Sequence, residues 1–132
     1  MGAALKLLLD SATVIWVMSV PSELSPRARA AIEERGNDVA VSAASAWEIA
    51  TKHRLGRLEH VGALVADWHA GLARFGFAEM PITHAHALRA GRYEVEHADP
   101  FDRVIAAQAE LEVMVLVASD RAFDLFPVVR LW

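Results

Sequence analysis

DPFDRVIAAQAELEVMVLVASD, residues 99–120, is the stretch that decides how this chain is read. Asp99-Pro100 has the form of a helix start. The aspartate can accept from first-turn N–H groups, and proline lacks the N–H that the first helical position leaves unused. The pair predicts a helix to about Glu112, with Phe101, Val104, Ile105 and Gln108 holding it against a sheet. VMVLVAS, residues 113–119, is an unbroken apolar run, the form of a strand buried on both faces. It stops at Asp120, so a helix leads into a buried strand that ends in an acid.

The rest of the chain repeats that alternation. LKLLL (5–9) reads as a short buried strand ending in Asp10, followed by a short helix over 13–19. Ser25-Pro26 opens a helix that runs to about Arg35 and stops at Gly36. DVAVS (38–42) alternates like a strand, and Ser42 or Ser45 caps the next helix, which ends at Gly56. One amphipathic helix is expected over 61–74, a weak strand over 77–82, and a Thr83-capped helix ending at Gly91. VVRLW (128–132) closes the chain as a strand. Strands alternating with helices imply an α/β fold, with a parallel or mostly parallel sheet covered on both faces. Length favours a single domain over 1–132, and no repeat, linker or low-complexity tract divides it.

Apolar runs usually end in Gly, Asn or Pro. Here segments end in, or border on, Asp10, Glu48, Asp102 and Asp120. Ligands in open α/β sheets sit beyond the carboxyl ends of strands, where Asp10 and Asp120 fall. Acids that converge need a cation, and ligands made of oxygen alone suit Mg²⁺ or Mn²⁺. The pattern points to a metal-dependent reaction on phosphate. Each acid also has a plainer reading. Asp10 and Asp120 can each cap the helix that follows, and Glu48 can lie on a solvated helix face. Asp99 reads better as an N-cap than as a ligand. Asp102 sits near the positive end of the same helix, aimed at the strand edge.

Bulk properties narrow the field. The chain is 55% hydrophobic and has no cysteine, which excludes disulfides, thiolate zinc sites and cysteine nucleophiles. No apolar run reaches the roughly 20 residues of a membrane span, and Lys6 alone precedes Asp10 as a charge, with no leader-like apolar stretch. A soluble, cytoplasmic protein is expected. A net charge of −4 argues against a simple phosphate binder. Eleven arginines against two lysines, Lys6 and Lys52, suit phosphate recognition, and GC-rich coding would produce the same bias. The six histidines form no HExxH motif, and only His97, beside Asp99, merits testing. Trp16, Trp47, Trp68 and Trp132 read as core or interface residues.

In the order LLLDS, SAASAWEIA, ITHAHALRAGRY, HADPFDRVIAAQA, LVASDRAF and a closing VRLW, the chain resembles the PIN-domain family, and within it the VapC-type toxins of bacterial toxin–antitoxin pairs. The resemblance spans essentially the whole chain. It implies a three-layer α/β/α fold and a Mg²⁺- or Mn²⁺-dependent ribonuclease. The family's acidic positions fall on Asp10, Glu48, Asp102 and Asp120, with hydroxyl residues at Ser11 and Ser119. It also implies a small VapB-like antitoxin and a homodimer, for which Trp16, Val17 and the Leu24 region offer apolar surface or core. Close relatives often carry histidine two residues after the first acid, where this chain has Ala12.

On this reading Asp10, Asp102 and Asp120 ligate metal, while Glu48 ligates metal or orients the attacking water. Arg103 and Arg121 either steer an RNA backbone or form surface ion pairs. Other doubly wound proteins with strand-end acids fit poorly. A phosphorylation receiver needs a late lysine, and an aspartyl phosphatase needs a second Asp at the position of Ala12. A catalytically silent PIN-like module that binds RNA or protein is the remaining alternative.

Overall fold

Leu7, Leu8 and Leu9 are fully buried and divide between two cores: Leu8 faces one, Leu7 and Leu9 the other. Side chains of a strand alternate between faces, so an all-apolar run needs cover on both. The computed structural model describes residues 4–132; the first three residues of the domain expected over 1–132 lie outside them. The elements are β1 (Lys6–Leu9), α1 (Ser11–Ser19), α2 (Pro26–Glu33), β2 (Asp38–Ser42), α3 (Ala43–Arg54), α4 (Gly62–Ala66) and α5 (Trp68–Arg74). They continue with β3 (Ala78–Met80), α6 (His84–Arg92), α7 (Pro100–Leu111), β4 (Val115–Val117) and β5 (Val129–Leu131). Single 3₁₀ turns occupy Pro21–Glu23 and Arg121–Leu125.

The five strands pair in the order β3-β2-β1-β4-β5, and every pairing is parallel. Leu8 lies between Ala40 of β2 and Leu116 of β4, and these three share one core with Ala90 of α6 and Ile105 of α7. Val39, Val41 and Val117 face the other core, with Val14 of α1, Ala28 of α2, Leu64 of α4 and Leu72 of α5. The result is the expected α/β/α sandwich. Helix α3 starts at the carboxyl end of β2 and contributes Ala44 to one core and Ile49 to the other. The chain builds outward from β1 to β2 and β3, then crosses to β4 on the other flank. The topological switch point therefore lies beside the carboxyl end of β1, where open sheets place their ligands.

Two expectations about elements are corrected. The helix expected over 61–74 is two helices. Asp67 leaves helical geometry at φ −144° and accepts from Ala70 N, so it ends α4 and caps α5. Gly71 lets the two pack closely: a Cβ there would lie 2.6 Å from Leu64 Cδ1. The strand expected over 113–119 shrinks to Val115–Val117. Val113 turns to φ +53° to end α7, with Met114 N donating to Ala109 O, so the first two residues of the run close the helix.

Candidate active site

Asp10, Glu48, Asp99, Asp102 and Asp120 line one open cleft of about 410 Å³ at the carboxyl edge of the sheet. Three routes bring them there. Asp10 and Asp120 leave the adjacent parallel strands β1 and β4, so they emerge side by side. Glu48 hangs from the second turn of α3, and Asp99 and Asp102 from the start of α7.

Asp10 combines its two sequence readings. It caps α1, its Oδ1 accepting from Thr13 N at 2.9 Å and from Thr13 Oγ1 at 2.5 Å, and it also faces the cleft. Thr13, fully buried, lies 3.0 Å from Val117 O and so ties the β1–α1 turn to β4. Both bonds from Thr13 fall on Oδ1, and Oδ2 accepts nothing from the described residues. Burial raises the Asp10 carboxyl above the ordinary range; the Thr13 bonds pull it back, and the charges of Glu48 and Asp120 push it higher.

Glu48 is buried, not solvated. Its Oε2 accepts from Lys52 Nζ at 2.6 Å, and its Oε1 is buried without a hydrogen-bond partner. Ser42 is the residue that caps α3; Ser45 instead accepts from Ser11 Oγ at 3.0 Å, joining the two helices that carry Asp10 and Glu48.

Asp99 is the N-cap of α7, accepting from Phe101 N and Asp102 N, yet it also borders the cleft. Asp102 is pushed up to about 6, first by burial, while a hydrogen bond from His97 lowers it and the charges of Asp99 and Glu48 raise it. Asp120 is exposed and caps the Arg121–Leu125 turn through Ala122 N. Ser119 lines the cleft beside it.

Arg103 forms no ion pair among the described residues and is engaged with the backbone instead. Its guanidinium donates to the carbonyls of Ala90, Tyr93, Val95 and His97, which leaves one of five N–H groups unspent. It clasps the segment that carries His97, whose ring hydrogen-bonds Asp102. Arg121 is exposed and forms no ion pair among the described residues. Sequence reasoning missed Lys52 and Thr13. Lys52 was legible as an i,i+4 partner of Glu48, whereas no local pattern marks Thr13 as the bridge between two strands.

Among the described residues no three of these acids or histidines close into a group that could hold a metal ion. Burial is the main upward push on both Asp10 and Asp102, and the charges of neighbouring carboxylates add to it. The donor set itself fits a hard divalent cation, being carboxylate oxygen throughout, with Glu48 Oε1 buried and unpartnered.

A parallel α/β sandwich with acids gathered at its switch point defines the class of protein. The chain belongs to the PIN domain family, which it matches over residues 7–128. PIN domains are generally nucleases and generally use divalent metals. No curated protein matches the chain by sequence. Solved structures match its fold. One is VapBC2 from Rickettsia felis bound to a DNA fragment from its promoter, with TM-score 0.67, 14% identity, and 96% of this chain and 97% of that chain covered. Another is DNA-bound VapBC from Salmonella typhimurium, with TM-score 0.68, 16% identity and 96% of each chain covered. A third is FitAcB from Neisseria gonorrhoeae, with TM-score 0.58, 20% identity, and 94% and 95% covered.

Proposed function

We propose that this chain, as one PIN domain over 1–132, is the toxin of a VapBC-type pair and a metal-dependent ribonuclease. The observation that supports this most is the shared cleft of Asp10, Glu48, Asp102 and Asp120. Asp10, Asp102 and Asp120 would hold Mg²⁺ or Mn²⁺, with Glu48 Oε1 turned to the same task. A divalent cation there supplies Lewis-acid polarisation of a phosphodiester and a lowered pKa for the attacking water. The chain's own part is to position. Thr13 fixes Asp10 through one oxygen, His97 orients Asp102, and the first turn of α7 adds its positive end beside the acids. Asp99 and Ser119 border the cleft as groups that orient water or substrate, and Ser11 acts through Ser45 on the α1–α3 junction.

The reading carries an antitoxin and a homodimer with it. Val17, Leu24 and Phe77 line an apolar hollow of about 380 Å³ that suits such contacts, while Trp16 packs on Trp132 with ring centroids 5.7 Å apart. No described helix is long and apolar enough to cross a membrane, and a cytoplasmic site of action follows from the toxin reading alone. The test is cleavage of total bacterial RNA by purified, partner-free protein with Mg²⁺, Mn²⁺ or EDTA, beside Asp102→Asn. Discrete fragments that require metal and vanish in the variant support the ribonuclease. Folded protein that binds RNA without cutting it under any condition supports the silent module instead.

A further inference from the structure

The acidic cleft contains a cation of its own. Among the described residues that line it, Lys52 is the one basic side chain beside five carboxylates. Its Nζ lies 2.6 Å from Glu48 Oε2, a short charge-assisted bond. The pair is not an ordinary surface contact, since the Glu48 side chain is 8% exposed and the Lys52 side chain 44%. Glu at i with Lys at i+4 is the favourable order on a helix, so α3 itself delivers the ammonium to the carboxylate. The two oxygens of Glu48 are thereby made unequal. Oε2 is occupied, and Oε1 is buried with no partner. A buried oxygen left unsatisfied is costly unless something takes it.

We propose that Lys52 is a positioning residue for Glu48: it clamps Oε2 and so presents Oε1 alone, as a single-oxygen ligand, to a divalent cation. The inference rests on the metal-dependent reading of the cleft. Lys52 also offsets one charge of a group of acids that repel one another, which keeps Glu48 in place before any cation arrives. Without it, a nearly buried carboxylate has no fixed rotamer and faces the charges of Asp10 and Asp102 uncompensated. Removing an outer partner of a ligand commonly weakens metal binding roughly 10- to 100-fold.

The experiment is Mn²⁺ binding by calorimetry or electron paramagnetic resonance. It compares the partner-free wild type with Lys52→Met, Lys52→Arg, Glu48→Gln and the double variant Lys52→Met/Glu48→Gln, each confirmed folded by circular dichroism. Lys52→Met is expected to weaken Mn²⁺ about tenfold or more. Lys52→Arg recovers most of the loss, and Lys52→Met adds nothing once Glu48 is Gln, because the two act as one unit. Lys52→Met binding as well as wild type, or more tightly, overturns the assignment, the latter by showing that Lys52 competes with the cation. Additive losses in the double variant also overturn it. A wild type that binds no Mn²⁺ removes the metal reading of the cleft and this inference with it.

Discussion

His97 Nε2 lies 2.9 Å from Asp102 Oδ2, so the segment before α7 holds the carboxylate that the first turn of α7 projects into the cleft. His97 lowers the Asp102 carboxyl, yet burial outweighs it and leaves the group at about 6. An acid whose value is higher folded than unfolded binds its proton more tightly in the native state. Its contribution is favourable at low pH and is lost as pH rises from the ordinary aspartate range through about 6.

Asp102→Asn is therefore expected to stabilise the metal-free protein at pH 7.5, by about 1 kcal/mol or roughly 3–6 °C in melting temperature. At pH 4.5, where the native aspartate is already protonated, the gain should be small. Asn retains an oxygen for His97. Melting curves in EDTA at both pH values check this, and a loss of stability at pH 7.5 would count against a strained carboxylate.

Divalent cations should reverse that balance. Mn²⁺ at 100 times its dissociation constant is expected to stabilise the wild type by about 2.7 kcal/mol at pH 7.5. The effect should fade as pH drops through about 6, since the cation must displace the Asp102 proton. Thermal shift titrations at pH 5 and 7.5 test it, with Asp102→Asn as the control that should gain little.

Asp10 has a structural and a chemical duty, and two substitutions separate them. Asp10→Asn keeps the cap on α1 and is expected to cost at least about 100-fold in RNA cleavage, with little change in melting temperature. Asp10→Ala should lose cleavage equally and about 1 kcal/mol of stability besides. Thr13→Val removes the hydroxyl bond that lowers the Asp10 carboxyl and the link to Val117 O, while the backbone N–H bond to Asp10 stays. It should cost about 1–2 kcal/mol and shift metal binding to higher pH.

Arg103 distinguishes a clasp from a substrate contact. Four carbonyls depend on its guanidinium, so Arg103→Met is expected to cost about 2–4 kcal/mol. Arg103→Lys should recover little, because an ammonium cannot reproduce the planar fork. Urea denaturation reads the loss. A variant of wild-type stability with weakened RNA binding would restore the steering role.

The layered α/β architecture was legible because its signals are local. The runs LKLLL, DVAVS and VMVLVAS announce buried strands, Ser25-Pro26 and Asp99-Pro100 mark helix starts, and their alternation leaves a parallel sheet as the economical arrangement. The four acids were visible for the same reason, since each interrupts or closes an apolar segment. What the local pattern left open was which neighbour claims each group. Asp67 reads as one more polar residue in a helical stretch, yet Leu64 and Gly71 pack only if the helix breaks there. Arg103 looked like a surface cation until four carbonyls from a segment up to 13 residues away converged on it. Thr13 meets Val117 across 104 residues, and Glu48 gives one oxygen to Lys52 while the other stays buried without a partner. Residue type and spacing along the chain determined the elements and named the acids. The parallel register of β1 against β4 and the packing of α3 and α7 across the sheet edge decided that those acids share one cleft, because contacts between distant residues form only when the layers close.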